Sequence, residues 1–357
     1  MRDVNARALV VEVVLLLLVL AVAEMALRLY LHSPTATLFP RLFGSPLTTA
    51  KFLAYRRLDD QREPLDVLLM GRSQVGRLSA AELIQEVFKA SGARLTVFNF
   101  GSPGHSVEYD RHLLQDVLVR IKQPRVIVYG LIPTNLIQEP GSMQPGTTDS
   151  PVFSAYTGTP AAVLQRTLLE HVDLILYREA LQARLTGAGT GQMRYWEWAA
   201  RKISPIGDMA PPIPREPPPF LNTWERKHLV PPMRHFDTLI ARGALFENIA
   251  ELARTCRALA IRLVLLASPV GPLYMQILPG GADDYREYRR RLQEAAAAAE
   301  VPLLDPSPDG IGSPEMFVDA THNSQAGITW MSQAISAYLI EHGLVGTRDA
   351  PAVTQVQ

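Results

Sequence analysis

The sequence predicts an α/β fold in which a five-stranded parallel sheet is doubly wound, with helices on both of its faces. Two patterns indicate this fold. Five short apolar runs lack polar alternation, as strands buried on both faces should, and helical patterns separate these runs along the chain. Repeated strand–helix alternation produces parallel sheets. A mostly helical insertion and an apolar N-terminal transmembrane helix complete the predicted architecture.

The composition excludes several function classes before any motif is considered. The 357 residues carry 35 Lys and Arg against 35 Asp and Glu, so no basic surplus favours nucleic-acid binding. A single cysteine, Cys256, rules out a disulfide within the chain and a cysteine-based zinc site. The histidines lack metal-ligand spacing such as His-Glu-x-x-His, and the sequence predicts no metal and no organic cofactor.

The N-terminal segment, residues 1–32, is predicted to be a cytoplasmic tip followed by a transmembrane anchor. Ala8 to Leu31 is nearly all apolar, and Arg2 and Arg7 precede it, so the positive-inside rule leaves the N-terminus in the cytoplasm. A cleaved signal peptide is the alternative, because Ala21-Val22-Ala23 fits a small-x-small cleavage site. In either case the bulk of the chain is expected outside the bacterial cytoplasmic membrane, and a retained helix would contact membrane lipid.

The rest of the chain divides into a connector, one regular domain and a tail. Residues 33–63 are predicted to be a connector, 64–345 the domain with its insertion at 136–242, and 346–357 a disordered tail. The insertion is interpreted either as a cap over the active edge or as a surface excursion. The predicted strands are Val67–Met70, Leu95–Phe100, Arg125–Tyr129, Leu263–Ala267 and Val301–Leu304. The predicted helices include Ser106–Lys122, Ala244–Ala260, Asp284–Glu300 and Asn323–Glu341.

A serine follows the first predicted strand. The apolar run Leu65–Met70 ends at Gly71, Ser73 comes two residues later, and a helical segment follows. In α/β hydrolytic enzymes a strand, a tight turn and a helix present a serine Oγ at the carboxyl edge of the sheet, where the helix N-terminus favours nearby negative charge. Because Gly-x-Ser after a strand is common, the motif is weak evidence when taken alone.

Asp319 and His322 lie three residues apart, just before the last predicted helix. At this spacing a carboxylate can accept a hydrogen bond from one imidazole nitrogen, which leaves the other nitrogen to take a proton from a serine hydroxyl. The pair follows the fifth strand, from which it is expected to reach Ser73 across the sheet edge. The alternative is an Asp that caps a turn beside a surface His.

Two further residues at strand ends are candidate oxyanion donors. Gly101 follows the second predicted strand, where a residue without a Cβ lets its backbone N–H approach an oxyanion closely. Asn135 follows the third strand and is expected to donate through its side-chain amide, with Thr134 as the alternative at that position. The alternative is that Gly101 is an ordinary turn residue and that Asn135 lies in a turn or caps a helix.

Taken together, the order Ser73, Gly101, Asn135, Asp319 and His322 resembles the SGNH (GDSL-like) hydrolase family, whose fold is flavodoxin-like. The resemblance implies that Ser73 is the nucleophile, that His322 is the base and that Asp319 orients the histidine. It also implies an oxyanion hole made by the Ser73 backbone, Gly101 and Asn135.

The resemblance covers the regular parts of the chain, about residues 64–135 and 262–342, and leaves out the N-terminal segment and the insertion. The sequence departs from the family pattern in two places. Arg72 stands where the family usually has an acidic residue before the serine, and the Gly-x-Asn-Asp block is stretched to Gly130…Asn135-Leu136.

With its predicted anchor, the chain is similar to the SGNH-like proteins of bacterial envelope glycan modification, such as the alginate O-acetyltransferase type and the D-alanyl transfer protein of teichoic acid synthesis. This resemblance implies an acyl-enzyme on Ser73 whose acyl group passes to a polysaccharide hydroxyl or to water. It implies a glycan or acyl-ester substrate and a multi-pass membrane-bound O-acyltransferase as partner. A catalytically idle scaffold or binding subunit and a secreted lipase-like esterase are the competing hypotheses.

Overall fold

The computed structural model describes residues 6–31, 42–43, 45–78, 80–90, 94–137, 151–156, 159–178, 180–182, 203–209, 220–307 and 311–345. The chain divides into two compact units. The smaller unit comprises Met1–Thr49 and Asp149–Arg201, and the larger comprises Ala50–Thr148 and Lys202–Gln357. The predicted tail at 346–357 and the Pro-rich run at 211–219 lie outside the described residues.

The larger unit contains a five-stranded, all-parallel sheet with the strand order β2-β1-β3-β4-β5, which confirms the predicted fold class. The order reverses between β1 and β3, and open sheets of this kind bind ligands at the carboxyl ends of the strands beside such a reversal. Gly71 lies opposite Gly130, so β1 and β3 end at the same level. The strands are Leu65–Gly71 (β1), Val97–Asn99 (β2), Pro124–Leu131 (β3), Arg262–Ala267 (β4) and Leu303–Leu304 (β5).

Helices connect and flank the strands, close to where the sequence predicts them. The first nine are α1 (Ala6–Leu31), α2 (Pro46–Arg56), α3 (Ser73–Gly76), α4 (Ala80–Ala90), α5 (Val107–Leu113), α6 (Val119–Ile121), α7 (Pro151–Ala155), α8 (Pro160–His171) and α9 (Asp173–Leu176). Those that follow are α10 (Thr223–His228), α11 (Val230–Met233), α12 (Phe236–Arg242), α13 (Ala244–Ala258), α14 (Ala282–Ala298) and α15 (Gln325–Glu341). A π-helical stretch, Leu114–Leu118, joins α5 to α6, and 3₁₀ turns lie at Pro133–Ile137, Pro272–Gln276 and Pro314–Met316.

The core explains why the strand sequences lack polar alternation. Alternate residues of the central strands pack with α4 and α15, which contact each other. The residues between them, such as Leu68, Ile127 and Leu265, are fully buried as well. Both faces of these strands are therefore covered, as expected for a parallel sheet in an α/β fold. The cluster on the α4 and α15 side includes Val67, Leu69, Val126, Val128, Val264, Leu266, Ile84, Phe88, Met331 and Ile335.

The predicted connector at 33–63 contains a helix, α2, that sequence analysis did not anticipate. The Tyr55 ring packs edge-on against Phe98 and Phe100, with centroids 5.0 and 5.8 Å apart. The Lys51 ammonium is fully buried and donates to the backbone carbonyl of Asn99 at 3.1 Å. From Ala50 onward this segment belongs to the larger unit, so its second half packs on β2 instead of merely linking two parts.

A buried polar cluster around β2 fixes the start of α4. Asp208, from the inserted region, accepts hydrogen bonds from the backbone N–H groups of Ala81 and Glu82 and from the Asn99 amide. Carboxylates are stabilised at a helix N-terminus by such N–H groups. Burial lowers the pKa of Lys51 to about 7, and the charge of Asp208 opposes that shift. The inserted region therefore returns to the sheet through a specific polar contact.

The N-terminal helix α1 is part of the smaller unit. Its segment Leu9–Leu31 is long and apolar enough to cross a membrane. Near its end, Glu24 accepts hydrogen bonds from the backbone N–H groups of Asp173 and Leu174, at 2.8 and 2.9 Å. Arg28 donates to the same carboxylate at 2.8 Å. The end of α1 is thus joined to the first residues of α9.

Candidate active site

Ser73 is the first residue of α3, directly after the end of β1. Gly71 has a φ of +135°, and a Cβ at this position would lie 2.7 Å from the carbonyl oxygen of Gly130. Only glycine fits such a turn without strain. The sharp passage from strand to helix brings Ser73 to the carboxyl end of the sheet, where the sequence predicts it.

The structure brings Ser73, His322 and Asp319 together in one hydrogen-bonded row. The His322 Nε2 atom lies 3.0 Å from the Ser73 Oγ atom, although the residues are 249 positions apart. On the other side of the ring, His322 Nδ1 lies 2.7 Å from Asp319 Oδ2. This arrangement is that of a nucleophile, a base and a group that orients the base.

The loop that carries the pair is held by its own backbone. Asp319 Oδ1 accepts hydrogen bonds from the N–H groups of Thr321 and His322, at 2.9 and 2.7 Å. The Val318 N–H donates to the carbonyl of His322 at 2.9 Å. Asp319 therefore folds the loop with one oxygen and contacts the imidazole ring with the other. Because Asp319 and His322 are only three residues apart, both sets of contacts form within one short loop.

The Asp319 carboxyl is ionised at neutral pH. Burial alone would raise its pKa, but the hydrogen bond and charge of His322 and the two backbone N–H groups outweigh burial and lower the pKa to about 2. A fixed negative charge beside Nδ1 favours the tautomer that carries a proton there. The Nε2 atom is then available to accept a proton from Ser73.

Gly101 follows β2, as the sequence predicts, but its N–H group has a partner within the protein. Its backbone N–H donates to the Asn99 side-chain oxygen at 3.0 Å, so this N–H is already engaged. A Cβ on Gly101 would lie 2.5 Å from the backbone nitrogen of Gly76. The glycine is therefore required for close packing of β2 against α3. The next glycine of the same loop, Gly104, has a φ of +78°.

Asn135 lies in the 3₁₀ turn Pro133–Ile137 after β3 and is buried. Its Oδ1 atom accepts from the Ile132 N–H at 2.9 Å, and its Nδ2 atom is buried without a hydrogen-bond partner within the described part of the chain. A buried unpartnered donor is costly, and in native proteins it calls for an explanation such as a ligand atom. Thr134, the alternative, instead directs its carbonyl oxygen at Arg72.

Arg72, which replaces the acidic residue usual in the resembled family, links the two turns at this edge. Its guanidinium donates to the Thr134 carbonyl at 2.6 Å, one residue away from Asn135. Burial lowers the pKa of Arg72, and interactions with Tyr274, Tyr129 and Asp110 oppose that shift. The side chain thus ties the serine turn to the asparagine turn.

A second His–Asp pair, which sequence analysis did not identify, lies after β2. His105 Nδ1 is 2.6 Å from Asp110 Oδ1, and Asp110 Oδ2 accepts from the Tyr129 hydroxyl at 2.7 Å. The pKa of Tyr129 is raised well above its ordinary value, mainly by burial, with the Asp110 charge adding to the shift. His105 is itself buried, and its contact with buried Asp110 is that of a structural residue.

Glu225, from the inserted region, also contacts this loop, although its place in the sequence does not indicate a role there. Its Oε1 atom accepts from the backbone N–H of Ala320, between Asp319 and His322. The only sequence signal was the capping box Asn222-x-x-Glu225, which the structure forms in full. Within the described residues, no group of three or more His, Cys, Asp or Glu side chains is arranged to hold a metal ion.

Comparisons with known proteins add little to this geometry. No protein-family model matches the chain, and no curated protein matches it. Among solved structures, the chain is similar to a GDSL-like lipase from Bacteroides thetaiotaomicron, with 12% identity, a TM-score of 0.41, and coverage of 82% of this chain and 98% of that one. It is also similar to TesA, with 13% identity, a TM-score of 0.40, and coverage of 78% and 99%. Likenesses this distant carry no argument about activity, so the interpretation of the site rests on its own atoms.

Proposed function

We propose that this protein is a serine-dependent acyl-transfer enzyme of the SGNH type. The observation that carries the proposal is the row Asp319–His322–Ser73, with its two hydrogen bonds of 2.7 and 3.0 Å at the carboxyl edge of the sheet. In this proposal Ser73 is the nucleophile, His322 the general base and then the general acid, and Asp319 the residue that orients and stabilises the imidazole.

The reaction proceeds in two halves. In the first, His322 Nε2 takes the proton of the Ser73 hydroxyl while Oγ attacks the carbonyl carbon of an ester. The resulting tetrahedral oxyanion collapses, the bond to the leaving alcohol breaks, and His322 returns the proton to that alcohol. In the second half, a water or a sugar hydroxyl loses its proton to His322 and attacks the acyl carbon. The bond between the acyl group and Ser73 Oγ then breaks, and His322 returns the proton to Oγ.

Two donors at the sheet edge fit the developing oxyanion. The first is the Asn135 amide, whose Nδ2 atom is buried and unpartnered within the described residues. The second is the backbone N–H of Ser73, which lies in the first turn of α3, where N–H groups have no partner within a helix. The Gly101 N–H, which donates to the Asn99 side chain, is not counted among these donors.

We place the reaction outside the cytoplasmic membrane, with a cell-envelope or exported polysaccharide hydroxyl as acceptor. The apolar helix α1 supports an anchor or export segment, and the resemblance to envelope glycan-modifying proteins supports the acceptor. A multi-pass membrane O-acyltransferase would supply the acyl group. Water as acceptor would make the same site an esterase.

Retention of the helix as an anchor is supported by its packing. The helix runs unbroken through Ala21–Ala23, and Glu24 and Leu27 just beyond pack within the smaller unit. The intact mass of the protein purified from membranes tests this. We expect the mass of the full chain, whereas a chain that begins at Glu24 would mean a cleaved signal.

The activity is tested with the full-length protein in detergent micelles and a chromogenic acetyl ester. We expect Ser73→Ala and His322→Ala each to lower kcat by roughly 10³-fold or more. Ser313→Ala, which removes a hydroxyl that donates to Glu315, is the matched control and should leave kcat unchanged. A serine-directed phosphonate should add one mass increment to the native chain and none to Ser73→Ala.

Two results would contradict the proposal. Hydrolysis that survives unchanged in Ser73→Ala would remove the nucleophile assignment. A native protein that neither hydrolyses the ester nor reacts with the phosphonate would favour the idle scaffold instead. If the enzyme is active, adding acceptor oligosaccharides and measuring acylated sugar against free acid separates a transferase from an esterase.

A further inference from the structure

Glu225 has two hydrogen-bonding tasks, of which only one concerns its own helix. The residue lies in α10, at the end of the inserted region, and is 2% exposed. Its Oε2 atom accepts from the backbone N–H of Asn222 at 2.8 Å, and the Asn222 side chain accepts from the Glu225 N–H at 2.9 Å. This reciprocal pair is a complete capping box. It uses only one of the two carboxylate oxygens.

The second oxygen of Glu225 reaches the loop of the candidate active site. Oε1 accepts from the backbone N–H of Ala320 at 2.9 Å, across 95 positions of sequence. Ala320 is fully buried and lies between Asp319 and His322. Without Glu225 this buried N–H would lose its acceptor, and an unpaired buried donor costs about 1–3 kcal/mol. The contact therefore fixes the loop backbone beside the two side chains.

The charge of Glu225 also acts on the pair. The pKa of Glu225 is raised, chiefly by burial. The Asp319 charge adds to the rise, whereas the N–H groups of Asn222 and Ala320 and the His322 imidazole oppose it. Glu225 thus interacts electrostatically with both members of the pair. A carboxylate near the imidazole stabilises the positive charge that His322 acquires when it takes the serine proton.

The same inserted segment contacts the other side of the site. Helices α11 and α12, which follow α10 directly, contact the turn Pro133–Ile137. That turn carries Asn135, the candidate oxyanion donor. A single stretch of the insertion therefore contacts both the turn at the end of β3 and the loop before α15. A surface excursion without a role would not be expected to do so.

We infer that Glu225 is a positioning residue, which holds the Asp319–His322 loop in register with Ser73 through the Ala320 N–H. One side chain of the inserted segment, Glu225, then supports the loop that carries His322. This inference rests on the proposed function, because it assigns Glu225 a role in the reaction of Ser73. Positioning of this kind has a large effect on rate, since a 1 Å misplacement of a reacting group can cost roughly 10²-fold.

The test compares Glu225→Ala with Asn222→Ala in the full-length protein. Both variants break the capping box, and loss of a cap costs about 1 kcal/mol of stability. Only Glu225→Ala removes the contact with Ala320. We expect kcat to fall by roughly 30- to 100-fold in Glu225→Ala, with KM within about twofold of the native value, and kcat of Asn222→Ala to stay within about twofold. Thermal unfolding confirms that both variants are folded at the assay temperature.

The conservative variant Glu225→Gln provides a second test of the contact with Ala320. Its amide oxygen still accepts from one N–H group, so we expect it to recover kcat to within about fivefold of the native enzyme. Equal losses of kcat in Glu225→Ala and Asn222→Ala would reduce Glu225 to a helix cap and overturn the inference. An unchanged kcat in Glu225→Ala would also overturn the inference. A native enzyme without Ser73-dependent hydrolysis would instead overturn the proposed function, and the two failures are thereby distinguished.

Discussion

Two of the His–Asp pairs in the larger unit have almost the same internal geometry but different surroundings. His322 Nδ1 lies 2.7 Å from Asp319, and His105 Nδ1 lies 2.6 Å from Asp110. The side chains of the first pair are 12% and 18% exposed, and those of the second are 4% and 1% exposed. The first imidazole faces the Ser73 hydroxyl, whereas the second carboxylate is bonded to the Tyr129 hydroxyl. A His–carboxylate contact is therefore no sign of catalysis by itself. What distinguishes the first pair is its partial exposure and its contact with a serine hydroxyl.

The largest expected effect comes from changing the carboxylate of each pair to its amide. Asp319→Asn can keep the backbone bonds of the loop through its Oδ1 but no longer holds the proton on Nδ1, so we expect kcat to fall by roughly 10²- to 10⁴-fold. Asp110→Asn should leave kcat within about tenfold and lower the free energy of unfolding by about 2–4 kcal/mol, because the buried Asp110 carboxyl bonds to both His105 and Tyr129. Ester hydrolysis and denaturant unfolding measure the two outcomes.

A loss of kcat in folded Asp110→Asn as large as that in Asp319→Asn would break the distinction between the pairs. The second pair would then belong to the reaction, acting through Arg72, whose charge interacts with Asp110.

The next effect separates the two tasks of Asn135. Asn135→Asp keeps the oxygen that accepts from the Ile132 N–H but replaces the unpartnered amide donor with an anion. We expect kcat to fall by roughly 10²- to 10³-fold, the usual cost of one oxyanion donor. Asn135→Ala, which loses the turn contact as well, should show a similar loss of kcat and a lower unfolding temperature. Full activity in Asn135→Asp would exclude the amide as an oxyanion donor.

A smaller effect is expected at the buried pair. Tyr129→Phe removes one hydrogen bond to Asp110 without changing the shape of the core. Leaving one buried hydrogen-bonding partner unsatisfied costs about 1–3 kcal/mol, so the free energy of unfolding should fall by about this amount. The value of kcat should remain within about threefold, as measured on the same ester. A strong loss of activity at unchanged stability would contradict the structural role of this pair.

The smallest effect is a pH dependence of stability that comes from the Asp319–His322 pair. The folded-state pKa of Asp319 is about 2, below the unfolded value of about 3.9. Such a group stabilises the fold above the unfolded pKa, and this contribution is lost as pH falls through the folded pKa. We expect the difference in unfolding free energy between the native protein and Asp319→Asn to shrink by about 2 kcal/mol between pH 5 and pH 2. A difference that does not change over this range would contradict the lowered pKa.

The parts of the fold that sequence analysis predicted are those whose signal is local. Runs such as Val67–Met70 are apolar throughout because both faces of each strand are covered. Gly71 was recognised at the end of the first run, and the spacing of Asp319 and His322 suffices for their contact because the loop between them is short. The helix α2 was missed because its buried residues, such as Lys51 and Tyr55, do not form an apolar stripe.

In the candidate site, too, local sequence signals indicate some residues and not others. The place of Gly101 after a strand makes it a candidate oxyanion donor. In the structure, however, its N–H group donates to the Asn99 side chain, whose orientation is set by the folded core. Nothing in the spacing of Glu225 indicated that its second oxygen would reach Ala320. Contacts of this kind depend on where the inserted segment returns to the sheet, which local patterns do not encode.

The sequence by itself determined the elements of this protein: which runs are strands, where each ends to within two residues, and which polar side chains follow those ends. Burial on two faces and the geometry of a tight turn are encoded within a few residues. Only the tertiary structure decided which ends meet. The order β2-β1-β3-β4-β5 and the packing of the final loop bring His322 to 3.0 Å from Ser73. That distance follows from the packing of the whole sheet and its helices, because the two residues share no local contact in the chain.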